Sequence, residues 1–336
     1  MDSTQEEMKF VGLLGIFSKS FKTVFAWKKI FTQITLTLIL PLAIIFMAHM
    51  LISSFIFYDI EQEPFQLIVN AYEYYRPYIS QPNQTDWLYY LLFKTIAITM
   101  VTVFSLLSTA AVVYTIASVY TGGDVDYRKV LKVVPKVWKR LTVTFLWMFL
   151  TFFAYNLIAS VVFIISGIIF MAFIALLVIS IPYILGFLYL AIVWQLACVI
   201  SVLESSCGLK AVIKAMDLMK GKRRVSFMVS FIVYGLLAGV VFMYMALIVL
   251  NGAELSPVWQ VAVGILCCVL LVITFLLIMV TQTMLYLVCK SYHREAIDKV
   301  SISTYLGAYL SDSRPAFMVG DDIQLGRPQT QSVSQV

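Results

Sequence analysis

The chain has 336 residues, of which 61% are hydrophobic and 12% charged, with a formal net charge of +6. A soluble domain of ordinary composition carries about 25% charged residues, too many for this chain to match, so its apolar side chains cannot be covered by a hydrated surface. Composition therefore excludes a soluble globular protein, a disordered chain and a disulfide scaffold, and it predicts an all-α, polytopic membrane helix bundle.

Taken in order, residues 1–29 form a basic N-terminal segment. At roughly 100° per residue, residues 10–27 place Phe10, Leu13, Leu14, Phe17, Phe21, Val24 and Phe25 on one side of a helix, opposite Lys19 and Lys22. This predicts a cytoplasmic amphipathic helix lying at the membrane interface and ending in Lys28-Lys29. The apolar run after Lys29 is longer than a signal-peptide core and lacks a small-residue cleavage site, so it is assigned as a first span.

Runs without any charge cover residues 30–58, 95–123, 141–203, 225–253 and 255–289. A single crossing takes about 20 apolar residues, so the third run, 63 residues long, must fold back. Lys139 and Arg140 precede it, and Lys210, Lys214, Lys220, Lys222, Arg223 and Arg224 follow it. Cytoplasmic loops carry the excess of Lys and Arg, so both ends lie on one side and the run holds two spans, turning between Ser166-Gly167 and Pro182. Six transmembrane helices are expected near 30–57, 88–120, 141–166, 176–203, 226–250 and 258–289, within a membrane domain over 30–289. A cytoplasmic tail occupies 290–336, and both termini are inside.

On this plan 22 of the 24 Lys and Arg residues lie at the inner side, the exceptions being Arg76 and Lys94. The first outer loop holds Asp59, Glu61, Glu63, Glu73 and Asp86 against Arg76, and it carries the sequon Asn83-Gln84-Thr85, which makes Asn83 a candidate glycosylation site. Two inner segments echo the first. Residues 130–140 set Val130, Leu131, Val133, Val134, Val137 and Trp138 against Arg128, Lys129, Lys132, Lys136, Lys139 and Arg140, with Pro135 expected to kink the segment. Residues 209–220 have a wider apolar face with Lys210, Lys214 and Asp217 as a polar strip, an arrangement suited to a collar beneath the bundle. The unit of interfacial helix, basic cluster and two-helix hairpin thus occurs three times, a candidate threefold repeat.

Apolar faces beside basic faces lie at anionic leaflets, where each Lys or Arg is worth about 1 kcal/mol. The residues assigned to lipid head groups on the cytoplasmic side are Lys28, Lys29, Arg128, Lys129, Lys132, Lys136, Lys139, Arg140, Lys222, Arg223 and Arg224. Basic residues hugging the spans point to lipid and not to nucleic acid, and protein partners or a homo-oligomer complete the expected associations.

Candidate chemistry is sparse. His49 lies within the first span and is expected to make a helix-packing hydrogen bond. His293 and Asp298 spell the His-x4-Asp signature that glycerolipid acyltransferases carry, but they lack the soluble domain that surrounds it in those enzymes. The cysteines at 198, 207, 267, 268 and 289 avoid the outer loops and match no zinc spacing, so neither disulfide nor metal site is expected. Cys207 and Cys289, at inner helix ends, are candidate palmitoylation sites. Polar residues within spans are Gln33, His49, Lys94, Asn156, Gln195 and Gln282, with Glu204 at the inner end of the fourth span. Mid-span carboxylates are missing, which argues against an ordinary proton-coupled carrier. Lys94 is read as an anchor at the outer surface, and Pro41 and Pro182 as points where spans can open backbone carbonyls. No catalytic set and no cofactor site is predicted.

Residues 10–41 and 194–224 resemble a family of plant multi-pass membrane proteins of uncharacterised function. The likeness rests on Gly15-Ile16-Phe17, Trp27-Lys28-Lys29-Ile30-Phe31 and Leu40-Pro41, then Glu204, Gly208, Ala211, Ala215, Leu218 and Lys220-Gly221. The second stretch is also similar to bacterial six-helix membrane proteins and to the membrane domain fused to some glycerophosphodiester phosphodiesterases. The resemblance implies a six-helix fold and a plant source; it implies no reaction, because the phosphodiesterase chemistry resides in a separate domain. The expected function is a non-enzymatic organiser of lipids or partner proteins at the inner leaflet. The alternatives are a transporter or channel whose path passes Gln33, Gln195 and Gln282, and, more remotely, an acyl-transfer enzyme. Long spans favour the plasma membrane, with the endoplasmic reticulum or Golgi as alternative.

Overall fold

A computed structural model of the chain describes residues 12–54, 84–122, 126–170, 173–204, 206–250 and 256–293. Among these residues the fold is all α-helical: α1 (Leu13–Ala26), α2 (Lys28–Ser54), α3 (Gln84–Thr121), α4 (Tyr127–Phe170), α5 (Phe173–Leu203), α6 (Leu209–Met219), α7 (Arg223–Tyr244) and α8 (Pro257–Tyr292). Six of them, α2, α3, α4, α5, α7 and α8, are long and apolar enough to cross a bilayer, and the chain is an integral membrane protein. Asn83, most of the acidic first loop, Asp298 and the tail lie outside the described residues.

The spans divide into a centre and a periphery. α3, α5 and α8 pack on one another, while α2, α4 and α7 lie outside them. The central helices are buried on nearly every side toward their C-terminal halves, as from Met279 to Cys289 in α8. The peripheral ones bury a single stripe: Ser226, Val229, Ser230 and Val233 in α7, and Val130, Val133, Val134, Val137, Leu141, Thr144 and Met148 in α4. Spacings of three and four residues are those of one helix face. The rest of α4 presents Leu146, Phe153, Leu157 and Ile158 outward as lipid-facing surface.

Each hairpin thus contributes one peripheral helix followed by one central helix. The amphipathic segments follow the same cyclic order. The start of α4 packs beneath α2 and α3, α6 beneath α4 and α5, and α1 beneath α7 and α8. Only α1 reaches across the chain to do so, and it thereby closes the ring. α3 and α8 also share Thr, Tyr and Tyr at matching places near their ends, Thr109, Tyr114 and Tyr120 against Thr281, Tyr286 and Tyr292.

Two details differ from the sequence-based expectation. The middle amphipathic segment is no separate helix, because α4 runs unbroken from Tyr127 through Pro135 into the membrane. Pro135 sits on the exposed side of α4, where the carbonyl left without its partner can turn to solvent. Pro41 is likewise absorbed within α2, behind a π turn at Thr35–Ile39. In α1 the protein-facing edge is Ile16 and Ser20, both fully buried, while Leu14, Phe21 and Phe25 point outward. The apolar face expected there is therefore split between a buried edge and an exposed apolar side, and Lys22 is exposed beside them.

Candidate functional site

The basic end of the bundle is pinned by one carboxylate. Glu204 follows the last turn of α5 and is largely buried; its Oε1 accepts hydrogen bonds from Tyr286 Oη and Lys290 Nζ of α8, each at 2.6 Å, and its Oε2 pairs with Lys214 Nζ of α6 at 2.8 Å. Burial by itself would push the Glu204 carboxyl up, but the Lys290 ammonium and the three hydrogen bonds outweigh it and hold the pKa below the ordinary value. The backbone is fixed from the other side: Arg140 Nη2 donates to the carbonyls of Glu204 and of Ser206, the latter at 3.3 Å. One turn on, Thr144 Oγ1 meets Ser201 Oγ at 2.7 Å and accepts from the Gly208 amide at 2.8 Å. Gly208 has φ 62, and a Cβ there would press on Trp147 and Val143. Arg140, counted from sequence among the lipid-facing cations, is thus turned inward and ties α4 to the α5–α6 turn.

The remaining cations stay at the surface. Lys28, Lys29 and Arg128 line a groove of about 530 Å³ together with Trp27, Gln33 and Asp126. None of the three cations has an ion-pair partner among the described residues. Along α4, Lys132, Lys136 and Lys139 are exposed and Lys129 half-buried. Arg223 and Arg224 are exposed at the start of α7, and Lys222 lies 5.6 Å from the centre of the Tyr292 ring. A second open groove, of about 600 Å³, runs between α6 and the end of α8, lined by Lys210, Lys214, Asp217 and His293. His293 Nε2 is 3.1 Å from the Leu218 carbonyl, so the imidazole is engaged with backbone there.

Within the membrane, all six spans contribute to the wall of a cavity of about 290 Å³. It includes Gln195 and Gln282 but not Gln33, which lies in the groove with Lys28 and Lys29; the groove and the cavity share no lining residue. Gln195 Nε2 donates to Tyr234 Oη at 2.9 Å. The other intramembrane polar residues serve packing. Lys94 Nζ donates to Ser53 Oγ at 2.7 Å, joining α3 to α2, and Asn156 Oδ1 accepts from Tyr183 Oη at 2.9 Å, joining α4 to α5. His49 does not make the expected hydrogen bond: its Nε2 is buried without a partner among the described residues and its ring stacks on Phe93 at 6.2 Å. Cys289 is fully buried, with Sγ 4.0 Å from Ser226 Oγ, which puts it out of reach of acylation in this fold; Cys207 is half-buried.

Sequence reasoning placed Glu204 at a helix end without a role and missed Tyr286, Lys290 and Tyr234. One signal was available. Glu204 is the sole acidic residue between Asp126 and Asp217, and a lone carboxylate at the end of a long apolar run needs a partner. The chain belongs to the family described as domain of unknown function DUF8558, matched over residues 1–328. No match was found among curated proteins or among solved structures.

Proposed function

We propose that this member of DUF8558 is a non-enzymatic membrane protein that gathers anionic lipids, or partners bearing them, beneath its basic end, and that this end faces the cytoplasm. The observation that carries the reading is the groove of Lys28, Lys29 and Arg128, continued along α4 by Lys132, Lys136 and Lys139. Three guanidinium and ammonium groups meeting in one groove suit a phosphate head group. The Glu204 knot supports this by holding the adjoining α6 and the ends of α5 and α8 in place. A carrier would need a polar path between the two faces, and the separation of Gln33 from Gln195 and Gln282 speaks against one. Span length favours the plasma membrane as the site of action.

The test uses the full chain in nanodiscs of mixed phosphatidylcholine and phosphatidylserine. Lipid re-extracted with the purified protein is expected to be enriched in phosphatidylserine at low salt and less so as salt rises. The triple variant K28E/K29E/R128E should abolish the enrichment. An unchanged lipid ratio between wild type and variant would refute the reading.

A further inference from the structure

The cavity at the centre of the bundle has no role at the basic end. Its wall contains no Asp, Glu, Lys, Arg or His among the described residues. A charged occupant would be stripped of water with no counter-charge to meet it, so an occupant has to be neutral. Much of the wall is aromatic, with Phe46 and Phe275 edge to face at 5.8 Å and Phe145 against Trp194 at 5.5 Å.

Against this apolar surface stand a few hydrogen-bonding groups. Tyr234 Oη accepts from Gln195 and keeps its own proton to give. The decisive residue is Gln282, on α8. It is only 5% exposed, it lines the cavity, and its carboxamide has no hydrogen-bond partner among the described residues. Buried amides are almost always paired, and this one presents both a donor and an acceptor to the space. An apolar concave space with a small number of placed polar groups is the general form of a small-molecule site, and this one is open along part of its wall. Counting about 1.5 Å per residue, Gln282 lies roughly 15 Å along α8 from Tyr292, deep within the span.

We infer that the cavity binds an uncharged, mainly apolar molecule dissolved in the bilayer, carrying one hydroxyl or carbonyl group that bonds to Gln282 and Tyr234 while its apolar part lies among the aromatic side chains. A lipid-soluble alcohol is the ligand class. This binding is separate from recognition of anionic head groups at the basic end, and neither depends on the other.

The experiment uses the full-length protein in phosphatidylcholine nanodiscs and a medium-chain fatty alcohol bearing a diazirine, with the fatty acid and the alkane of the same length as comparison probes. After irradiation, the alcohol is expected to label peptides containing Trp194, Phe275 or Tyr234, and excess unlabelled alcohol should remove that label. The ionised acid should label them several-fold less. Q282L should lower alcohol labelling by about fivefold, the loss of one neutral hydrogen bond, without lowering alkane labelling. Y234F serves the same purpose if Q282L does not fold, and S105F, which narrows the cavity, should suppress all three probes. The inference is overturned if label falls only on outward positions such as Phe153 and Ile158, if acid and alcohol label the cavity equally, or if the variants leave the alcohol preference unchanged. Water alone in the cavity would give the first of these results.

Discussion

Replacing Glu204 by Gln should loosen the whole basic end. The substitution keeps shape and volume but removes the negative charge that Lys290 Nζ meets at 2.6 Å, with both side chains only 12% exposed. Breaking such a pair from one side leaves a buried ammonium uncompensated, at a cost of about 3–5 kcal/mol. The lower end applies here, because Lys290 Nζ retains the Tyr286 hydroxyl at 3.1 Å and Lys214, 34% exposed, can turn to water. Heat or denaturant unfolding of the full chain in detergent would measure the loss. The double variant E204M/K290M should recover much of it, since an apolar pair of similar volume replaces an ion pair at little net cost. Acid gives an independent check. The Glu204 pKa is depressed in the folded state, so its contribution is fully present above the unfolded carboxylate value of about 4.3 and is lost as pH falls through the lower folded value. E204Q should lack that part of the acid dependence. If E204Q and K290M each cost under about 1 kcal/mol, or if the double variant costs their sum, the knot does not hold the basic end together.

Gly221 joins α6 to α7 with φ 101, and an added Cβ would run into the Tyr292 ring. G221A is expected to cost at least about 1–2 kcal/mol of left-handed backbone strain, and Y292A in the same background should relieve the contact but not the strain; equal unfolding midpoints for wild type and G221A would refute this. A maleimide added to the folded protein should react with Cys207 and spare Cys198 and Cys289, which are buried. Labelling of Cys289 before unfolding would contradict its burial. For topology, Y72S turns Asn70 into an acceptor in the loop that the proposed orientation places outside, and an endoglycosidase-sensitive mass shift is expected. Modification of an acceptor engineered next to Gln335 instead would invert the orientation.

The number of spans and the gathering of positive charge at one end were legible in the sequence, because both are sums over short stretches. Hydropathy over some 20 residues decides whether a helix can cross, and the Lys and Arg at its ends need no knowledge of its neighbours. The lone Glu204 was visible as an anomaly. Its partners were not, since Lys290 is 86 residues away and only the docking of α8 beside α5 brings the two together. The packing of α4 on α5 likewise turned Arg140 from an apparent lipid contact into a brace for the α5–α6 turn. Nor could the pattern separate Met148, fully buried, from Leu146, 64% exposed, on the same helix. In water the buried face of a helix announces itself by being apolar. In a bilayer the lipid-facing side is apolar too, so periodicity loses its contrast, and which helices become central is settled by packing between side chains distant in sequence. Tertiary structure therefore decided the cavity, the central triad of α3, α5 and α8, and the fate of each polar group within the membrane, because each depends on which faces meet and not on what any one face contains.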